Sequence, residues 1–304
     1  MRRKPLRALF DAWFGFAGYR RGAAMAPCDF RGILDDPLEA FERADAASGQ
    51  PVVIEVPLHA CRGFPILGFP LHAASPHPLV RTAREFVAAP SLREEDSSLR
   101  EFYEAFQPRT GAELLGLEGP LATGPLARLP ALEVEVPWRY APGPRVKRAR
   151  FRLMREEAAR YGYELTGHDG ITVFGPVSEG KRQLEFERIT RTVASIEERG
   201  YLGGISTGHI QAISLVRDGT ARYLIRAAQH RSAALAALGY ERIPVLLKPS
   251  ACLQRDDLDS WPAVRNGAFT REQAQAVFDR IFEGRPPAAL ANVWPPVQTT
   301  TATA

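Results

Sequence analysis

Three cysteines and six histidines in 304 residues are few, and their spacing excludes several chemistries. Cys28, Cys61 and Cys252 stand far apart with no CxxC pair, which excludes a disulfide framework and a cysteine-based zinc site. Such sparse cysteine use fits a reducing compartment, so the expected location is the cytoplasm. The histidines form no HxxxH or HExxH arrangement. The looser group His59, His72 and His77 falls in a Pro- and Gly-rich stretch where surface histidines are expected, and no metal site is assigned. No apolar run approaches the roughly 20 residues that span a bilayer.

Charge of one sign is also scarce over most of the chain. The net charge is +4, and residues 1–21 hold six cations against Asp11, a local +5, so everything after residue 21 sums to −1. A duplex-binding domain normally carries its own basic face, and DNA is therefore not an expected partner. The basic start makes a poor export signal, because Asp11 interrupts its apolar stretch and arginines bound it. Arginines around Trp13, Phe14 and Phe16 could rest on an anionic membrane surface, although a packed terminal helix accounts for the same pattern.

What is present is an ordinary globular composition, 45% hydrophobic and 24% charged, long enough for two domains. Prolines recur at 120, 125, 130, 137, 142 and 144 and mark a boundary. The expected division is a mostly helical or irregular region at 1–145, an α+β domain at 146–285 and a tail at 286–304. In the first region Asp36-Pro37 opens a helix, 52–56 leans toward a strand, and 79–87 and 97–106 read as helices. Leu99, Phe102, Tyr103 and Phe106 line one face of the last.

The second region gives sharper signals. A helix over 150–161 stops at Gly162, and Asp169-Gly170 suggests a hairpin across 163–174. A helix over 185–199, with Ile189, Val193 and Ile196 inward, is closed by Gly200. Asp218-Gly219 joins strands at 210–216 and 222–225, and Thr270 to Phe282 is helical. From Tyr223 to Leu247 the chain reads as strand, short turn, alanine-rich helix, glycine cap and strand.

The turn at 228–232 carries the functional expectation. A helix entered directly from a strand exposes backbone N–H groups at its first turn, and the peptide dipoles add positive potential there. Arg231 supplies a planar fork that suits phosphate oxygens, and Gln229, His230 and Ser232 add polar groups beside the Ala228 backbone. These residues equally suit a plain helix cap bridging to Glu185 or Glu187. Phosphoryl transfer would also need a carboxylate near the acceptor, for which Glu185 and Glu187 are the candidates, with Lys181 as an added phosphate contact or a surface lysine. The recurring Arg188 and Arg191 read as an ion-pair face with those glutamates. His168 and His209 read as turn and strand-edge residues.

The order of Ser195-Ile196 in a helix, a His230-Arg231 turn, Ala233 and Gly239 in the next helix, and Ile243-Pro244-Val245 resembles the ParB/sulfiredoxin superfamily. The resemblance covers roughly 184–248 and implies a small mixed sheet with packed helices that binds nucleotide phosphates at 228–231. It implies ATP, ADP or CTP as ligand, with Mg²⁺, and either a phosphotransferase or nucleotide hydrolase acting on a small molecule, or a non-catalytic regulatory module, for instance in surface-polysaccharide assembly. Three departures weaken catalysis. Gln229 replaces the cysteine of the sulfinic-acid reductases and the glutamate of the partition proteins, and Ala227 and Ala228 replace the Asp-Gly of the kinase-like members. An amide cannot serve as a carboxylate base. The helix-turn-helix that follows the partition-protein core is also missing from the pattern.

Overall fold

In chain order the elements are β1 Cys28–Asp29, α1 Pro37–Arg43, β2 Val52–Pro57, β3 Cys61–Gly63, β4 Phe69–Pro70, α2 Pro78–Ala88, α3 Ser98–Ala105, α4 Gly111–Leu115, α5 Pro144–Ala159 and α6 Glu179–Arg199. Then follow β5 Ile210–Arg217, β6 Thr220–Ala227, α7 Gln229–Ala237, β7 Arg242–Leu247, β8 Cys252–Gln254, α8 Pro262–Arg265, α9 Arg271–Glu283 and α10 Ala288–Ala291. This computed structural model describes residues 26–44, 49–204 and 208–294. The expectation for the basic start lies outside the described residues, as do residues 295–304, but the tail expected from 286 belongs to the fold as far as Trp294: α10 buries Leu290, and the buried Trp294 donates its indole N–H to Pro76 O at 2.7 Å.

The protein is mixed α+β, and its strands form one mixed sheet in the order β1-β2-β7-β5-β6-β3-β4, with β8 beside β5. The hairpin at Asp218-Gly219 forms as the sequence suggests. Both turn residues have positive φ, 50° and 71°, the backbone that lets two antiparallel strands meet over two residues. Along its other edge β5 pairs in parallel with β7 through Ile210 and Gln211, and with β8 through Ser214 to Val216.

The sheet draws on both sides of the expected boundary near 145. β2 pairs antiparallel with β7 over six residues, and β3 pairs in parallel with β6. One hydrophobic core likewise runs from Ala40 to Trp294. The proline-rich stretch is thus a connection across a shared framework. It folds into short 3₁₀ turns that bury Leu126 and Ala131, and Val134, Val136 and Trp138 just after them are buried too.

Helix ends follow their capping residues. Asp36 accepts from the N–H groups of Leu38 and Glu39 to start α1, and Ser178 accepts from Lys181 N to start α6. Thr270 and Gln273 form a reciprocal capping box on α9, which ends at Gly284 in the left-handed region. Pro144 starts α5 six residues before the expected 150, because proline's fixed φ suits a first helical turn. The expected hairpin at 163–174 is absent. Asp169 accepts from the N–H and hydroxyl of Thr166 and closes a tight turn, leaving one bridge between Ile171 and Phe174. The helices α2, α6 and α7 pack against one another. α9 is tied to the sheet through Arg62, which donates to the carbonyls of Ile281 and Phe282, and Arg217, which pairs with Asp279 and Glu283.

Candidate functional site

β6 passes into α7 through Ala228, whose φ of 69° and ψ of 40° lie in the left-handed region. An L-residue adopts this conformation at a cost of roughly 1–2 kcal/mol, so it is held by its surroundings. A left-handed residue followed by helical ones turns successive N–H groups to one side, a geometry suited to an anion. No side chain caps this end of α7. Ala233, Ala234 and Ala236 are fully buried, which lets the helix lie close on its neighbours.

The side chains expected to converge here diverge. Gln229 is held on both ends of its amide: Oε1 accepts from Phe64 N at 3.1 Å, and Nε2 donates to Ile225 O at 2.6 Å. Ser232 is fully buried and donates to Gln229 O at 3.0 Å. Arg231 is half-buried and donates from Nη1 to Gly208 O at 2.7 Å, beside Tyr201. His230 is buried and faces α6 instead. Gln229 and Arg231 are both half-buried, but the Gln229 amide is held at both ends, so Arg231 is the one cation of the four residues that stays near the helix start with contact to solvent.

His230 meets a buried charge cluster. Its Nε2 is 2.7 Å from Glu185 Oε2, but the ring N–H is not aligned on that oxygen, so the contact is ionic in distance without being a good hydrogen bond. Lys181, Glu185 and Arg188 follow at i, i+4 and i+7 on one face of α6. Lys181 and Glu185 are completely buried with Nζ to Oε1 at 2.5 Å, and Arg188 reaches Glu185 at 3.2 Å and Glu157 at 2.5 Å. Lys181 also donates to the Thr172 hydroxyl at 3.0 Å, while the Thr172 carbonyl accepts from Tyr103 Oη at 2.9 Å. Burial alone would raise the Glu185 carboxyl. Lys181, Arg188 and His230 outweigh it and hold the group well below the usual carboxylate range. Burial, helped by the Arg188 charge, lowers His230 below an ordinary histidine despite Glu185.

Glu187 lies on another face of α6. It accepts from Tyr163 Oη at 2.8 Å and Gln183 Nε2 at 3.2 Å, and pairs with Arg191 at 3.0 Å. The two glutamates thus do not face a common acceptor, and Glu185 is shut off from solvent. The ion-pair face with Arg188 and Arg191 is present. Lys181 is neither a surface lysine nor near Arg231's exposed side, since its chain is enclosed with Glu185. His77, expected at the surface, is fully buried: its Nδ1 accepts from Leu79 N at the start of α2, and its ring lies 4.4 Å from that of Phe64. Burial and the charge of His230 push it down to about 3.

The residues that sequence reasoning missed are Thr172, Tyr103, Glu157 and Phe64. Only the 181/185/188 spacing carried a readable signal, because the other partners come from distant elements. A separate cleft of about 380 Å³ between α5 and the 167–176 turn is lined by Phe151, Ile171, Phe174, Lys147 and His168, and shares no residue with the turn at 228–232. Among the described residues no helix is long and apolar enough to cross a membrane. Compared with family models, curated proteins and solved structures, the chain gives no match.

Proposed function

We propose that this protein binds a phosphate-bearing ligand, a nucleotide such as ATP, ADP or CTP, at the start of α7 and acts as a binding module without turnover. The observation that carries the reading is the entry to α7: a left-handed Ala228, a first turn with no side-chain cap, and a half-buried Arg231 at the same end. Backbone N–H groups, helix dipole and guanidinium there add potential of one sign. The resemblance to the ParB/sulfiredoxin superfamily supports the same place, since its order of helix, hairpin, helix and strand is the order of α6, β5, β6, α7 and β7. The buried, cation-bound Glu185 and the differently directed Glu187 favour binding over phosphoryl transfer. Neither is positioned as a base for a substrate at Arg231.

Thermal unfolding with ATP, ADP and CTP, each with and without Mg²⁺, tests the reading. A ligand at a hundredfold excess over its Kd adds about 2.7 kcal/mol of stability. The expected result is a rise in Tm with at least one nucleotide that is lost in Arg231→Ala, with no phosphate released. No shift with any of them, or an equal shift in the variant, would overturn it. Phosphate release that Arg231→Ala abolishes would establish the phosphotransferase or hydrolase reading instead.

A further inference from the structure

The charge of −1 after residue 21 conceals a concentrated positive face. Residues 144–160 hold seven cations, Arg145, Lys147, Arg148, Arg150, Arg152, Arg155 and Arg160, against Glu156 and Glu157, a local +5. On α5 the exposed positions include Arg145, Arg148, Arg152 and Arg155, while Val146, Met154 and Ala158 are buried. At 100° per residue these four arginines fall within an arc of about 80°, and at 1.5 Å per residue they span about 15 Å. Arg160 is exposed just beyond the helix.

These arginines are not neutralised internally. Arg150 lies off the stripe and is bound by the carbonyls of Ala131, Leu132 and Val134 and by Glu135. Glu157 is taken by Arg188. Among the described residues no carboxylate pairs with Arg145, Arg148, Arg152 or Arg155. Half-buried Glu156 is the one acidic side chain of α5 on that side. Four exposed cations without a paired carboxylate, held on one face of a helix, repel one another and sum to a positive field that an external polyanion would relieve.

We propose that the arginine face of α5 binds the phosphodiester backbone of a nucleic-acid duplex without reading its sequence. This site is separate from the ligand reading at α7 and does not rest on it. A duplex presents a phosphate charge about every 1.7 Å of axis, so a straight 15 Å face meets several at once. All four side chains are arginines, whose planar forks match phosphate oxygens. The stripe exposes no Asn or Gln to read base edges and no aromatic ring on which the bases of a single strand would stack. A helix that inserts into a membrane surface carries large apolar side chains beside its cations, and none is exposed between Arg145 and Arg160.

Fluorescence anisotropy of a labelled random-sequence 20-base-pair duplex, titrated with the full chain between 50 and 200 mM salt, tests the proposal. The variant Arg145→Gln/Arg148→Gln/Arg152→Gln/Arg155→Gln keeps the cations of residues 1–21, so the difference from wild type reports α5 alone. Its slope of log K against log salt should be shallower by about 3.6, and that of Arg152→Gln alone by about 0.9. The single variant carries the test if the quadruple one fails to melt like wild type. Binding by both variants equal to wild type would overturn the proposal. So would tighter binding of wild type to phosphatidylserine vesicles, or to a single strand of the same length, than to the duplex at the same salt.

Discussion

Phe64 donates its backbone N–H to the side-chain oxygen of Gln229 across 165 positions of sequence, and the same amide donates to Ile225. The glutamine fastens the start of α7 to the connection between β3 and β4. Phe64 is 1% exposed, so its N–H has no water to turn to. Gln229→Leu should cost about 1–3 kcal/mol in urea unfolding. Because the amide points away from the exposed side of the helix start, nucleotide should still raise the Tm of that variant. Loss of the nucleotide effect with unchanged stability would reverse the assignment.

Removing Lys181 leaves Glu185 in the interior with Arg188 as its one firm cation, beside the Thr172 hydroxyl at 3.2 Å and an unaligned His230. Lys181→Met should destabilise by about 3 kcal/mol, the scale for stripping one partner from a buried ion pair. Lys181→Met/Glu185→Leu should regain most of that loss, since the uncompensated charge goes too. Chemical denaturation of the two proteins checks this, and a double variant weaker than the single would refute it.

Acid should weaken the fold before the carboxylates titrate. His77 is held down to about 3, whereas an unfolded histidine titrates near 6.5. Between these values the unfolded chain binds the extra proton, so stability is intact above about 6.5 and falls by up to about 1.4 kcal/mol for each unit of pH below it. His230, lowered by burial, acts in the same direction. His77→Asn, which keeps a capping oxygen, starts less stable at pH 7.5, but its deficit should shrink between pH 6 and pH 5. A constant deficit in urea titrations at those pH values would contradict the account.

Ala228→Gly should stabilise slightly, by about 0.5 kcal/mol. Relief of the left-handed alanine slightly exceeds the added freedom of the unfolded chain. With the Cβ gone a phosphate could also approach more closely, so the nucleotide-induced Tm shift should grow. Paired melting curves of variant and wild type measure both effects, and a less stable variant would show that the left-handed conformation is not strained here.

Local chemistry was the legible part of the sequence. Asp218-Gly219, Asp36-Pro37 and the glycines after helices each marked their own turn or cap, whereas α6 begins at Glu179 behind its Ser178 cap, six residues before the 185 that its apolar spacing suggests. The shared sheet was illegible, because the pairing of Val52 with Leu247 depends on partners nearly two hundred residues apart and on no local pattern. Proline spacing suggests a boundary where there is none for the same reason: it reports broken helix and strand, not the end of a core. In the site the residue types are plain in the sequence and the directions of the side chains are not. Consecutive positions on a helix point 100° apart, so Gln229, His230 and Arg231 had to part unless the turn unwound. The arginine face of α5 is invisible in a summed charge, which says nothing of how cations are arranged around an axis.

The interleaving of early and late strands also governs how the molecule is made. Between Pro70 at the end of β4 and Ile210 at the start of β5, 140 residues must be synthesised. At roughly 5–20 residues per second, that is about 7–28 seconds. Through that interval the inner edges of β2 and β3 have no mate, and the apolar faces behind them have nothing to cover them. Partly made chains therefore expose unpaired strand edges that the finished sheet hides, and these are the species most open to association with one another.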